Sequence, residues 1–122
     1  MEISKAVTAL SALAQENRLE IFRLLVQAGP QGMAAGQIAE TLELAPNTLS
    51  FHFDRLRFAG LVTVRRDGRS MIYAARFEAM SGLVSFLTEN CCQGAAAKCA
   101  PAALCKPKGV LNETVSRPRR RG

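Results

Sequence analysis

The sequence predicts a mainly α domain with one small β-hairpin, and three observations predict it. Apolar residues recur at three- and four-residue steps in five separate stretches between Ile3 and Leu87. Two short runs rich in β-branched residues, 61–66 and 71–75, flank Asp67-Gly68, a dipeptide suited to a tight hairpin. The chain has 122 residues, within the roughly 100 to 200 of a single domain.

Ile3, Val7, Leu10 and Ala14 put one apolar face on a first helix. Leu19, Phe22, Leu25 and Val26 do so for a second, which stops at Gly29-Pro30-Gln31-Gly32 because proline lacks the amide a helix needs. A short third helix is expected from about Ala34 to Leu42, with Ile38 and Leu42 inward. Pro46 suits the first turn of a fourth, whose Leu49, Phe53 and Leu56 share a face and which ends at Gly60. After the hairpin, Phe77, Met80, Leu83, Val84 and Leu87 mark a fifth helix, with Phe86 widening its apolar stripe.

Two helices joined by so short a turn form a helix-turn-helix pattern, and a basic hairpin following it makes a winged helix. The expected architecture is therefore five helices plus a two-stranded wing. The surplus of apolar residues on the first and last helices predicts a homodimer, since a chain this small buries only about two-thirds of its unfolded surface.

Charge sharpens this picture. Residues 1–90 carry nine Lys or Arg and nine Asp or Glu, so the net charge of +6 resides in residues 91–122. Six of the nine basic residues of the first part nevertheless fall between Arg55 and Arg76, around the fourth helix and the wing. Asn47, Thr48, Ser50, His52 and Arg55 are placed at or near the outer part of the fourth helix, where donors reach base edges or phosphates in a major groove. Arg65, Arg66 and Arg69 on the wing are candidate phosphate or minor-groove contacts. For each residue alone, a solvated surface position is the alternative. Double-stranded DNA is the expected partner, and paired half-sites on DNA suit a dimer.

All four cysteines, Cys91, Cys92, Cys99 and Cys105, lie in one fifteen-residue stretch. In a reducing cytosol such a cluster favours metal binding or redox chemistry over a disulfide framework. Adjacent residues on a helix point about 100° apart, so Cys91 and Cys92 converge on one ion only if the last turn frays, which Gly94 permits. A disulfide between neighbours would strain the backbone.

Ser50-Phe51-His52-Phe53-Asp54-Arg55-Leu56, then Ala59-Gly60-Leu61-Val62, then Arg66-Asp67-Gly68-Arg69 and Tyr73, resemble the ArsR family of bacterial metal-responsive repressors over roughly residues 8–90. Phe53 stands where the family more often has leucine. The resemblance implies a homodimer that holds its operator when apo and leaves it when an inducer binds. The family's Cys-Val-Cys arsenic site aligns with Ala34 and Gly36, which ligate nothing, and its histidine-carboxylate site on the last helix has no histidine here. Glu89-Asn90-Cys91-Cys92 with Cys99 resembles instead an arsenite-responsive subgroup with three thiols at the end of the fifth helix. The implied metal ligands are Cys91, Cys92 and Cys99, with arsenite, trivalent arsenic, as inducer. Cys105 is either a fourth ligand favouring a tetrahedral ion such as zinc or a spare, and Pro101 and the intervening alanines, which give no preorganisation, favour the spare. A thiol redox sensor, an organic arsenical needing two thiolates, antimonite or another soft metal, and a plain interaction module are the alternatives.

The expected organisation is a DNA-binding and dimerisation domain over 1–90, a cysteine-rich inducer segment over 91–105 and a basic disordered tail over 106–122. No acid pair, Ser-His-Asp order or phosphate-cradling glycine loop is present, so no enzyme is expected. With no long apolar run and no basic start to a secretory signal, the expected setting is cytoplasmic, with no membrane partner and no protein substrate.

Overall fold

In the computed structural model, residues 1–94 are described. Cys99, Cys105 and the basic tail lie outside the described residues. The element order is α1 (Ile3–Leu13), α2 (Glu16–Ala28), β1 (Met33–Ala34), α3 (Ala35–Leu42), α4 (Pro46–Phe58), β2 (Val62–Asp67), β3 (Ser70–Ala75) and α5 (Phe77–Thr88), then a 3-10 turn, Cys91–Gly94. The chain divides into two units, Met1–Phe86 and Leu87–Gly122.

The first unit is the winged helix. Ile21 and Leu25 of α2, Ile38 of α3, Leu49, Phe53 and Leu56 of α4 and Leu61 form its centre. These are large side chains spaced three or four apart on their helices, and their burial is the main favourable term in folding such a domain. Leu19, expected inward, is on the outside, and Ile21 takes the inner position.

Helix α1 departs further from expectation. Its buried residues are Ala6, Ala9 and Ala12, while Ile3, Val7 and Leu10 are exposed and Ala14 lies past the helix end, also exposed. Packed on α2 and α4, α1 lies in a place where single methyl groups fill the gap. The helix therefore turns its smaller apolar stripe inward. On α5, Leu83 is buried and Phe86 packs partly on the core, whereas Val84 and Leu87 face outward.

The sheet has three strands, not the expected two. Its order is β1-β3-β2, with Met33 opposite Tyr73 and Ala34 opposite Ile72. Gly32, at φ +75, delivers the chain to that edge, where a Cβ would collide with the Tyr73 carbonyl. Ala34 thus belongs to a strand, and α3 begins one residue later. Gln37 Oε1 accepts from the Ala34 amide at 3.2 Å, covering one exposed donor at that helix start. Strands β2 and β3 pair from Val62 opposite Ala75 to Asp67 opposite Ser70. The loop between them is Gly68-Arg69, with Gly68 at φ +65 in the first central position, the place glycine takes in a type II′ turn.

Candidate nucleic-acid interface

Three residues separate α3 from α4. Glu43 adopts a left-handed φ of +56, the Leu44 amide donates back to Ala39 at 3.0 Å, and Pro46 opens α4 at a position where no amide is required. The turn aims α4 outward with Leu49, His52, Phe53 and Leu56 against the body and Asn47, Thr48, Ser50, Phe51, Asp54, Arg55, Arg57 and Phe58 exposed.

Four of the five α4 residues expected to meet DNA lie on that exposed face: Asn47, Thr48, Ser50 and Arg55. The Asn47 carbonyl oxygen accepts from the Thr48 amide at 3.1 Å, so the side chain has its NH2 group left to offer a ligand. The guanidinium of Arg55 lies over the Phe51 ring, 5.1 Å from its centroid, within cation–π range. Arg57 and Asp54 approach at 3.9 Å with both side chains in solvent, a pair that contributes little to stability.

His52 is a correction. Expected on the outer face, it is only 6% exposed. It sits three residues after Leu49 and four before Leu56, and therefore falls on the inward stripe. Its Nδ1 has no hydrogen-bond partner among the described residues. Burial, and then the Arg18 guanidinium, hold its pKa below the ordinary 6.5. A proton there would be both desolvated and near another cation, so the ring is neutral near pH 7 and turned away from any ligand of the outer face.

On the wing, Arg65, Arg66 and Arg69 are all exposed. Successive strand residues point to opposite faces, which separates Arg65 from Arg66. Arg65 donates to the Gln31 carbonyl at 3.0 Å, tying the wing to the loop before β1. Arg66 shares the other face with Val62 and Val64, and Arg69 stands in the hairpin loop. The wing is also fixed to α4 from within. The Phe53 and Tyr73 rings stack at 3.6 Å between centroids and 12° between planes, and burial raises the tyrosine pKa above its ordinary value. The α4 face and the wing thus form a surface carrying short polar donors and arginines on a rigid support.

In the second unit, Asn90, Cys92 and Gln93 all have left-handed φ values. Cys91 and Cys92 therefore stand past the end of α5 rather than on consecutive helical positions, with Cys91 half-buried and Cys92 exposed. Among the described residues no group of three His, Cys, Asp or Glu side chains is gathered as a metal site. The proposed third ligand, Cys99, lies outside them. Soft, accessible thiols are the right donor type for a soft ion.

Two exposed aromatics on α4, Phe51 and Phe58, escaped the sequence reading. The signal was available, since neither falls on the Leu49, Phe53, Leu56 stripe. Phe58 is 93% exposed and shares with Val7 and Thr8 of α1 a depression of about 270 Å3.

A family of helix-turn-helix domains matches residues 13–65. The transcriptional activator HlyU of Vibrio cholerae is 31% identical over 90 residues, covering 74% of this chain and 81% of HlyU. Among solved structures, an ArsR-like transcriptional regulator from Rhodococcus sp. RHA1 superposes with a TM-score of 0.63 at 25% identity, covering 83% of this chain and 90% of that one. A homodimeric winged helix-turn-helix DNA-binding domain from Mycobacterium bovis superposes with a TM-score of 0.58 at 28% identity, covering 72% and 82%. No helix among the described residues is long and apolar enough to cross a membrane.

Proposed function

Since the chain belongs to the ArsR-like family of winged helix-turn-helix transcriptional regulators, we propose that it is an arsenite-responsive repressor. The apo homodimer holds operator DNA, and trivalent arsenic bound by Cys91, Cys92 and Cys99 releases it. Asn47, Thr48, Ser50 and Arg55 of α4 enter a major groove, which is wide enough for a helix. Arg66 and Arg69 of the wing neutralise phosphates.

The homodimer reading is supported by the exposed apolar residues Ile3, Val7 and Leu10 on α1 and Val84 on α5, and by the homodimeric neighbour from Mycobacterium bovis. Exposed apolar residues gathered on one helix face mark protein contacts more often than free surface.

The observation that carries the inducer assignment is the position of Cys91 and Cys92, adjacent just beyond α5, the first half-buried and the second exposed. Thiolates select soft ions, and trivalent arsenic keeps a lone pair that leaves it three bonds. Each thiol exchanges for one hydroxide of arsenite, which leaves as water with the thiol proton. Binding draws the segment after α5 toward Cys99 and reshapes the end of α5, a helix of the dimer contact, and with it the spacing of the two copies of α4.

The test is an operator-release titration with arsenite under full reduction, on the wild type and on single Cys→Ser variants. Cys91→Ser, Cys92→Ser and Cys99→Ser each keep DNA binding and lose release, while Cys105→Ser behaves as wild type. A Cys105 variant that loses its response as fully as the others replaces the three-thiolate site with a four-ligand one. Release by peroxide and not by arsenite makes the protein a thiol redox sensor.

A further inference from the structure

Phe51 is 52% exposed in the middle of the outward face of α4, one turn after Asn47 and one turn before Arg55. A large aromatic ring in this position exposes apolar surface that none of the described residues covers. The ring is nevertheless held in place. The Arg55 guanidinium sits 5.1 Å from its centroid, and the buried His52 ring lies 5.8 Å away at a tilt of 59°. A phenylalanine offers no donor or acceptor, so it contributes nothing to reading the hydrogen-bonding edges of bases. In a major groove the apolar counterpart is the 5-methyl of thymine, which no other DNA base carries there.

We propose that Phe51 is a base-reading residue whose ring takes the 5-methyl group of a thymine in each half-site. Arg55 is its positioning residue: the guanidinium braces the ring, and its edge donates to the neighbouring base pair or phosphate. This inference rests on the DNA-binding reading of α4 given above.

The experiment begins with a duplex selected by the wild-type protein from a randomised pool. Each thymine is then replaced singly by deoxyuridine, which removes the methyl and nothing else. At one thymine per half-site the replacement weakens wild-type binding about fourfold, the worth of burying one methylene-sized group. Phe51→Ala, truncated at an exposed position, melts like the wild type and binds the thymine and uracil duplexes equally. Arg55→Lys keeps the charge and the salt slope but lacks the planar group that stacks on the ring, and its discrimination between the two duplexes falls. Wild-type binding indifferent to every uracil overturns the proposal, as does a Phe51→Ala protein that still discriminates. A dimer weakened by Phe51→Ala, with discrimination retained, assigns the ring to a subunit contact instead. Failure to select any duplex overturns the DNA-binding reading itself, an outcome distinct from the loss of methyl reading alone.

Discussion

Helix α1 buries Ala6, Ala9 and Ala12 and leaves Ile3, Val7 and Leu10 outside, whereas α4 buries Leu49, Phe53 and Leu56 and leaves Asn47, Ser50 and Arg55 outside. Both helices pack on the same core, and they pack on each other. The difference lies in what each can offer beyond it. An outward stripe of large aliphatic side chains gains free energy only by leaving water, so α1 is suited to a protein surface. An outward stripe of short donors and guanidinium groups gains by meeting fixed charges and base edges, so α4 is suited to DNA. Phe58, at the end of α4, stands where the two surfaces meet, since it shares one depression with Val7 of α1 and Arg55 of α4.

The largest expected effects test which face of each helix is the inner one. Leu56→Ala, beneath α4, should cost about 2–5 kcal/mol in urea denaturation through the cavity it leaves. Ala9→Leu, beneath α1, should cost about 1–3 kcal/mol by overpacking. If Ala9→Leu is tolerated and Val7→Ser unfolds the chain, the two faces of α1 have been assigned in reverse.

Val7→Ser should leave the secondary structure intact and weaken the dimer instead. A two-fold contact loses the apolar group twice, so the dissociation constant rises by roughly tenfold or more in sedimentation. A wild-type protein that stays monomeric at micromolar concentration breaks the α1 half of the comparison outright.

On the DNA side, Arg66→Ala or Arg69→Ala should weaken binding to all sequences and lower the salt slope by about one counterion per copy, while Ser50→Ala should harm the selected operator more than random DNA. Arg65→Ala should differ from its neighbour, because Arg65 already donates to the Gln31 carbonyl. Its loss loosens the wing as well as removing a charge. Equal losses on operator and random DNA for all four variants contradict this division.

The smallest effect belongs to His52. Its folded pKa lies below the ordinary 6.5, so the unfolded chain binds a proton more readily than the folded one. Stability is therefore complete above about pH 6.5 and falls as pH drops through the folded value. His52→Gln should flatten that acid limb in melts recorded across the range, and an unchanged limb contradicts a buried neutral imidazole.

How much of this was legible follows from what periodicity encodes. The inward stripe of α4 is clear because Leu49, Phe53 and Leu56 recur at four- and three-residue steps, whereas Phe51 and Phe58 are a single pair off that stripe. On α1 two stripes compete, Ile3-Val7-Leu10 and Ala6-Ala9-Ala12, and spacing identifies faces without saying which one fits the gap between α2 and α4. His52 is legible by position, three residues after Leu49 and four before Leu56, but not by type, since a polar side chain is expected on the outer face. Strand β1 has two residues, too few for any period, and is created by its partner β3 and by Gly32. The opposed directions of Arg65 and Arg66 were implicit in strand alternation. The Phe53–Tyr73 stack, which joins residues twenty apart, had no local signal.

On the proposed function, arsenite at the cysteines after α5 and DNA at α4 oppose one another, and such an opposition must be reciprocal. Arsenite affinity is measured by titration of the reduced wild-type dimer, first alone and then saturated with its selected operator, beside operator affinity with and without arsenite. The account predicts that DNA weakens arsenite binding by the same factor by which arsenite weakens DNA binding, about 5- to 150-fold. Arsenite bound equally well by the free and the DNA-loaded protein would contradict it.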